Sequence, residues 1–203
     1  MCQLKSGIIL KNRVFVPEYD SHTEMLEELG IEDDYLNASK TFVRVELSPA
    51  NGDVFSDIDT WKLTVDQDIT PEWYDEDTYK PQVVEAVKAW SKDHIHIGVD
   101  DLKISTGRNH YIKDCKDVQI CGNAMVENIC GNATVEYIYD NATVKTVKGT
   151  AVIIGSNYGW NKKDTLVLAG NATFKDCQTK TIYQSGDWEL VSVESKNKIE
   201  KEN

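Results

Sequence analysis

Three nonapeptides follow one another without a gap in the second half of this chain. Cys121-Gly122-Asn123-Ala124-Met125-Val126-Glu127-Asn128-Ile129 is followed by Cys130-Gly131-Asn132-Ala133-Thr134-Val135-Glu136-Tyr137-Ile138. Tyr139-Asp140-Asn141-Ala142-Thr143-Val144-Lys145-Thr146-Val147 comes next. A weaker fourth unit starts at Lys148 with Gly149-Thr150-Ala151, and after an interruption at 156–164 the pattern returns as Gly170-Asn171-Ala172-Thr173-Phe174. A period of nine excludes two-helix repeats, which need roughly 33 residues. It suffices for one short strand and one turn. Gly-Asn supplies the turn, because both residues tolerate left-handed backbone angles at low cost. Ala, Val and the closing Ile or Val are spaced to point inward, with Thr, Glu and Lys between them facing water. Stacked turns would place Ala on Ala, Val on Val and Asn on Asn. The pattern predicts a parallel β-solenoid, with two nonapeptides per coil if it has two walls and three if it is triangular.

The chain has 203 residues with 34 acids against 22 bases, a formal net charge of -12. The excess is not spread evenly. Residues 1–105 carry 10 Lys and Arg against 22 Asp and Glu, whereas residues 106–203 carry 12 of each. A composition break that sharp predicts a boundary near 102–107. The expected organisation is an acidic α+β head at 1–105, a β-solenoid at 106–192 and a charged tail at 193–203. A chain this acidic repels phosphate backbones, so nucleic acid is not expected as its primary ligand.

The head alternates short elements. Residues 7–16 read as one strand or a tight hairpin around Lys11-Asn12-Arg13. Ser21-His22-Thr23-Glu24 is a capping-box pattern, followed by a short helix through Met25, Leu26 and Leu29 that stops at Gly30. Thr41-Phe42-Val43-Arg44-Val45-Glu46-Leu47 alternates with period two, as does Trp61-Lys62-Leu63-Thr64-Val65, and the two are expected to pair around the turn at 49–53. Pro81 is expected to open a helix carrying Val83, Val84, Val87 and Trp90 on one face. His94-Ile95-His96-Ile97 reads as a strand leading to the boundary.

No segment approaches the roughly 18 apolar residues of a membrane span, and the N-terminus lacks the long apolar core of a signal peptide. The five cysteines, Cys2, Cys115, Cys121, Cys130 and Cys177, form no Cys-x-x-Cys pair. A reducing cytoplasm and no cofactor are the expectation. The Asn-Ala-Thr triplets at Asn132, Asn141 and Asn171 are then incidental to glycosylation.

Calcium-binding nonapeptide rolls are similar in period, but their Gly-Gly-x-Gly-x-Asp pattern is absent. The Met1-Cys2 start and the Gly-Asn-Ala-Thr-Val arrays together resemble a set of uncharacterised bacterial and phage proteins. That likeness covers most of the chain and implies no activity.

Several residues bear on function. Removal of Met1 would expose Cys2 with its own amine as general base, as in N-terminal-nucleophile hydrolases and abasic-site-linking proteins, which also begin Met-Cys. No Gly-Arg follows Cys2, and a structural cysteine is the preferred reading. His94 and His96, with Asp100 and Asp101, lack a third ligand of convincing spacing, so no metal is expected. His22, inside the capping box, reads as a surface helix residue. Asp66, Asp68, Glu72, Trp73, Tyr74, Asp75, Glu76 and Asp77 mix carboxylates with aromatic rings, a combination found at interfaces, although the rings serve equally to pin the loop. Tyr158-Gly159-Trp160-Asn161-Lys162-Lys163 interrupts the repeat as a loop. Trp188, Leu190 and Val191 are expected to cover the last coil, whose open edge would otherwise be sticky.

The expected function is a non-enzymatic binding or assembly module that contacts a protein partner and forms a homo-oligomer. One alternative is a cysteine-dependent enzyme using Cys2. The other is an acidic inhibitor that occupies a partner's basic, nucleic-acid-binding groove.

Overall fold

The computed structural model describes residues 4–155, 167–176, 181–185 and 191–192, and the chain divides into two compact units between Asp93 and His94. Cys2, the 158–163 interruption, Trp188, Leu190 and the tail at 193–203 lie outside the described residues. The described chain is mostly β, with few helices.

The first unit contains β1 (Lys5–Leu10), β2 (Arg13–Phe15), α1 (His22–Leu29), α2 (Tyr35–Ala38), β3 (Phe42–Ser48), β4 (Lys62–Val65) and nearly all of α3 (Glu76–His94). Its strands form one antiparallel sheet in the order β2-β1-β3-β4. The apolar run around Lys11 is therefore a hairpin, and the two alternating stretches pair as expected. Ser21 caps α1 by accepting from the Glu24 amide at 3.2 Å, and Gly30 ends it in the left-handed region at φ 67°. Ile8, Met25, Leu26, Ala38 and Phe42 form the apolar contact between the sheet and the first two helices.

Pro81 does not open α3. The helix begins five residues earlier at Glu76, because the Asp75 carboxylate accepts the Thr78 amide at 3.0 Å and caps the first turn. Proline is the sixth residue of the helix.

The second unit is a stacked parallel β-solenoid of about four turns. One sheet holds β5 (Ile95–Ile97), β7 (His110–Lys113), β9 (Met125–Cys130), β11 (Thr143–Val147) and β13 (Val167–Leu168). The other holds β6 (Lys103–Ile104), β8 (Val118–Ile120), β10 (Thr134–Ile138), β12 (Val152–Gly155) and β14 (Thr173–Asp176), extended by the antiparallel β15 (Thr181–Gln184) and β16 (Val191–Ser192). Two walls, not three, close each coil.

Thr143 pairs with Met125 and Val144 with Val126, eighteen residues below. Thr134 and Val135 pair at the same offset with Val152 and Ile153. Across the interruption the offset widens to twenty-one, with Val147 opposite Leu168 and Ile153 opposite Phe174. The inward positions read from the sequence are those that fill the core: Ala124, Val126 and Ile129, then Ala133, Val135 and Ile138, then Ala142, Val144 and Val147. All are at most 2% exposed.

The solenoid begins earlier than the charge break suggests. β5 already pairs in parallel with β7, and Asp100 bridges to Lys116. The left-handed corners of this first stretch are shared by Gly98 and Gly107 with Asp101, Asn109, Asp114 and Asp117, and none of them is a Gly-Asn pair like those of the later units. Short polar side chains tolerate that conformation by bonding locally. The break at 102–107 thus falls within the first coil. The acidic excess still belongs to the first unit, which holds nine Lys and Arg against twenty Asp and Glu.

Candidate functional site

The residues read as a partner surface fall in two places on the first unit. Glu72, Trp73, Tyr74, Asp75, Glu76 and Asp77 lead into α3, and there the rings hold the segment down. Trp73 Nε1 donates to the Lys40 carbonyl at 2.7 Å, and its ring meets Tyr79 edge-on at 5.6 Å. Tyr74 stacks on Tyr79 at 6.0 Å, and the buried Tyr79 donates its hydroxyl to the Lys11 carbonyl at 2.8 Å. Burial, reinforced by the charges of Glu76 and Asp75, pushes the Tyr74 phenol above its ordinary value. Asp75 caps α3, while Glu76 and Asp77 sit in its first turn, where the helix amides favour negative charge. Glu72 is exposed beside them.

Asp66 and Asp68 belong to a different feature. The loop after β4 faces the start of α2 across a cleft of about 630 Å³, whose lining includes Asp33, Asp34, Asp66 and Asp68 against a single guanidinium, Arg44. Gln67 fixes the loop. Its side-chain oxygen accepts the Arg44 amide at 2.8 Å, and its nitrogen donates towards the carbonyls of Ala38 and Phe42 at 3.2 Å and Ile69 at 2.5 Å. Asp66 N donates to the Arg44 carbonyl at 2.9 Å.

Arg44 is already committed: it pairs with Asp33 and lies 5.1 Å over the Phe42 ring. Asp34 caps α2 through the Asn37 amide at 2.7 Å. The cleft thus carries four carboxylates and one neutralised cation, and its walls focus a negative field. Tyr35 stands in its lining at 75% exposure, with Leu36 beside it at 58%. Sequence reading missed Asp33, Asp34 and Tyr35, although the Asp33-Asp34-Tyr35 tripeptide has the same acid-aromatic mixture as the segment it singled out.

Asp66 also meets His22, which is not a surface residue. The His22 side chain is 10% exposed; its Nε2 lies 3.1 Å from the Val45 carbonyl and its Nδ1 lies 3.2 Å from Asp66 Oδ2. Among the described residues, His22, Glu46 and Asp66 form a group whose candidate ligand atoms lie within 4.8 Å of one another. His94, His96, Asp100 and Asp101 form no such group among the described residues. His94 and His96 instead gather on His110, at ring centroids of 5.1 and 5.7 Å. His110 bonds the Thr106 carbonyl through Nε2 at 2.9 Å.

Cys115, Cys121 and Cys130 form no disulfide, and the first two are buried in the solenoid. Among the described residues no helix is long and apolar enough to cross a membrane. Compared with protein-family models, curated proteins and solved structures, the chain matches none.

Proposed function

We propose that this chain is a non-enzymatic binding module, a bacterial or phage accessory protein whose acidic α+β head engages a basic protein partner. In this reading the nonapeptide is the structural unit of the solenoid, two to a coil, and the solenoid serves as a scaffold for self-association. The observation that carries it is the cleft: four aspartates face a space whose single arginine is already paired. A cationic side chain entering there meets several exposed carboxylates with no free cation among the lining residues to offset them. The exposed Tyr35 and Leu36 add apolar contact area at the same place.

The partner surface comprises Asp66 and Asp68 with Tyr35 in the cleft and, as a second patch, Glu72, Trp73, Tyr74, Asp75, Glu76 and Asp77. The test starts with a pull-down from the native host and continues with the purified partner. Affinity should fall about tenfold or more between low and high salt, and Asp68→Lys should weaken it by a similar factor. A flat salt response, or a partner indifferent to Asp68→Lys, overturns the reading. The same cleft supports the inhibitor variant, in which the partner's nucleic acid and this chain compete for one groove; simultaneous binding of both rules that variant out. Light scattering of the full chain tests self-association, and a monomer at micromolar concentration contradicts it.

A further inference from the structure

The strand register places Ser6, Glu46 and Thr64 side by side on one sheet face, with Glu46 opposite both of the others. The first turn of α1 packs over this strip and brings His22 onto it. The same face carries Arg44, two residues from Glu46 and opposite Ile8, and an apolar part built on Ile8 and Phe42 against Met25 and Leu26. Glu46 is nevertheless 7% exposed and Ser6 1% exposed. Among the described residues the Ser6 hydroxyl has no hydrogen-bond partner. A buried hydroxyl without a partner, on the strip next to Glu46, calls for a water or an ion close by.

The histidine indicates what the ion is. A backbone carbonyl only accepts, so the 3.1 Å contact with Val45 fixes the hydrogen on His22 Nε2. In the neutral ring Nδ1 then carries a lone pair, and that lone pair faces Asp66 Oδ2 at 3.2 Å, itself an acceptor. Two lone pairs directed at each other require positive charge between them. A second ring proton or a metal ion supplies that charge. A metal ion meets each of these conditions. Bonds of about 2.1 Å at angles of 90–109° separate neighbouring ligand atoms by roughly 3.0–3.4 Å, which brackets the His22–Asp66 distance, while Glu46, within 4.8 Å of the pair, would draw in on binding. The carbonyl bond from the far ring nitrogen is the usual second contact of a metal-bound imidazole.

We propose that His22 Nδ1 and the carboxylates of Glu46 and Asp66 bind one divalent transition-metal ion of the zinc or manganese class. The two carboxylates balance its charge, and one nitrogen with two oxygens favours these ions over magnesium or calcium, which take all-oxygen sets. A metal-bound water would give the Ser6 hydroxyl its missing partner. The site shares Asp66 with the acidic cleft but does not depend on the partner reading.

The test is calorimetric titration of the chelator-stripped full chain with Zn²⁺, Mn²⁺ and Mg²⁺. The proposal expects one equivalent of Zn²⁺ or Mn²⁺ bound at micromolar or tighter affinity, with Mg²⁺ at least about tenfold weaker. His22→Ala should weaken binding about a hundredfold. Because changes at Glu46 risk misfolding, the exposed Asp66→Asn is the second variant, expected to weaken binding at least about tenfold while leaving the metal-free circular dichroism unchanged. Asp68→Asn, in the cleft but outside the ligand set, should leave metal affinity intact. Absence of stoichiometric binding overturns the proposal and leaves an imidazolium–carboxylate pair. Binding that survives in both His22→Ala and Asp66→Asn overturns it equally and assigns the metal elsewhere, such as to the cysteine thiols. Neither result touches the Asp68→Lys test of partner binding.

Discussion

The carbonyl oxygen of Ser105 lies 2.3 Å from the position that a Cβ on Gly122 would occupy. Gly122 also sits at φ +60°, and its amide bonds Asp140 Oδ2 at 3.1 Å, in the next coil. The repeat's glycine is thus set twice, by its backbone angle and by a neighbouring coil's backbone. Gly122→Ala should cost about 3 kcal/mol, combining left-handed strain with overpacking against atoms that cannot rotate away. Gly30→Ala is the comparison: φ is +67° there too, but nothing lies within 4 Å, so about 1 kcal/mol is expected. Urea unfolding of both variants checks the difference; equal costs would show that the stacked contact contributes nothing.

Ile129 is fully buried between the walls and continues a column with Ile112 and Val147. Ile129→Ala should destabilise the second unit by about 2–5 kcal/mol, while Tyr137→Ala, at a half-exposed outward position, should stay within about 0.5 kcal/mol. Thermal denaturation followed at more than one wavelength separates these from changes in the first unit.

Gln67 holds the cleft loop through its amide group. Gln67→Leu keeps the volume but strands the Arg44 amide and several carbonyls, and should cost about 2–3 kcal/mol. The loss should come with altered amide shifts at Asp66 and Asp68 in a two-dimensional NMR spectrum. Unchanged shifts would mean that the loop is held by other contacts.

Tyr19 donates its hydroxyl to Glu28, and its phenol is pushed up to about 12. Partial withdrawal from water is the largest cause, followed by the Glu28 hydrogen bond and the charges of Glu28 and Glu24. A raised phenol pKa favours the protonated, folded form. Its contribution is complete below about pH 10 and lost as pH rises towards about 12. An ultraviolet titration should show late-ionising tyrosine absorbance that loses one tyrosine's amplitude in Tyr19→Phe and shifts downward in part in Glu28→Gln. An unshifted titration in Glu28→Gln contradicts the assigned role of that pair.

The inward columns of the solenoid were legible from Cys121 onward because Gly-Asn, Ala and Val recur in fixed places. The number of walls was not, since coils of eighteen and twenty-seven are both multiples of nine; only the pairing of Thr143 with Met125 decides. The first coils escaped notice because their left-handed corners, Gly98, Asp101, Gly107, Asn109, Asp114 and Asp117, follow no Gly-Asn pattern and no fixed spacing of nine. The His22 group was invisible for a different reason. Its three residues come from a helix start, a strand and a loop, and local spacing carries no trace of a convergence made by tertiary packing. The role of the rings at Trp73 and Tyr79 turned on burial, which composition does not give.

A cross-link tests the eighteen-residue coil most directly. Asn141 Nδ2 donates to Asn123 Oδ1 at 3.3 Å, so the two stack one coil apart at the same corner. Strands so paired lie about 4.8 Å apart, within the reach of a disulfide, while opposite walls are separated by about 10 Å. With the five native cysteines replaced by alanine, the Asn123→Cys, Asn141→Cys chain should close a disulfide under mild oxidation, and the Asn123→Cys, Asn132→Cys chain should not. Closure of the nine-residue pair, or failure of the eighteen-residue pair in a folded chain, would contradict the two-walled solenoid on which the rest of the account stands.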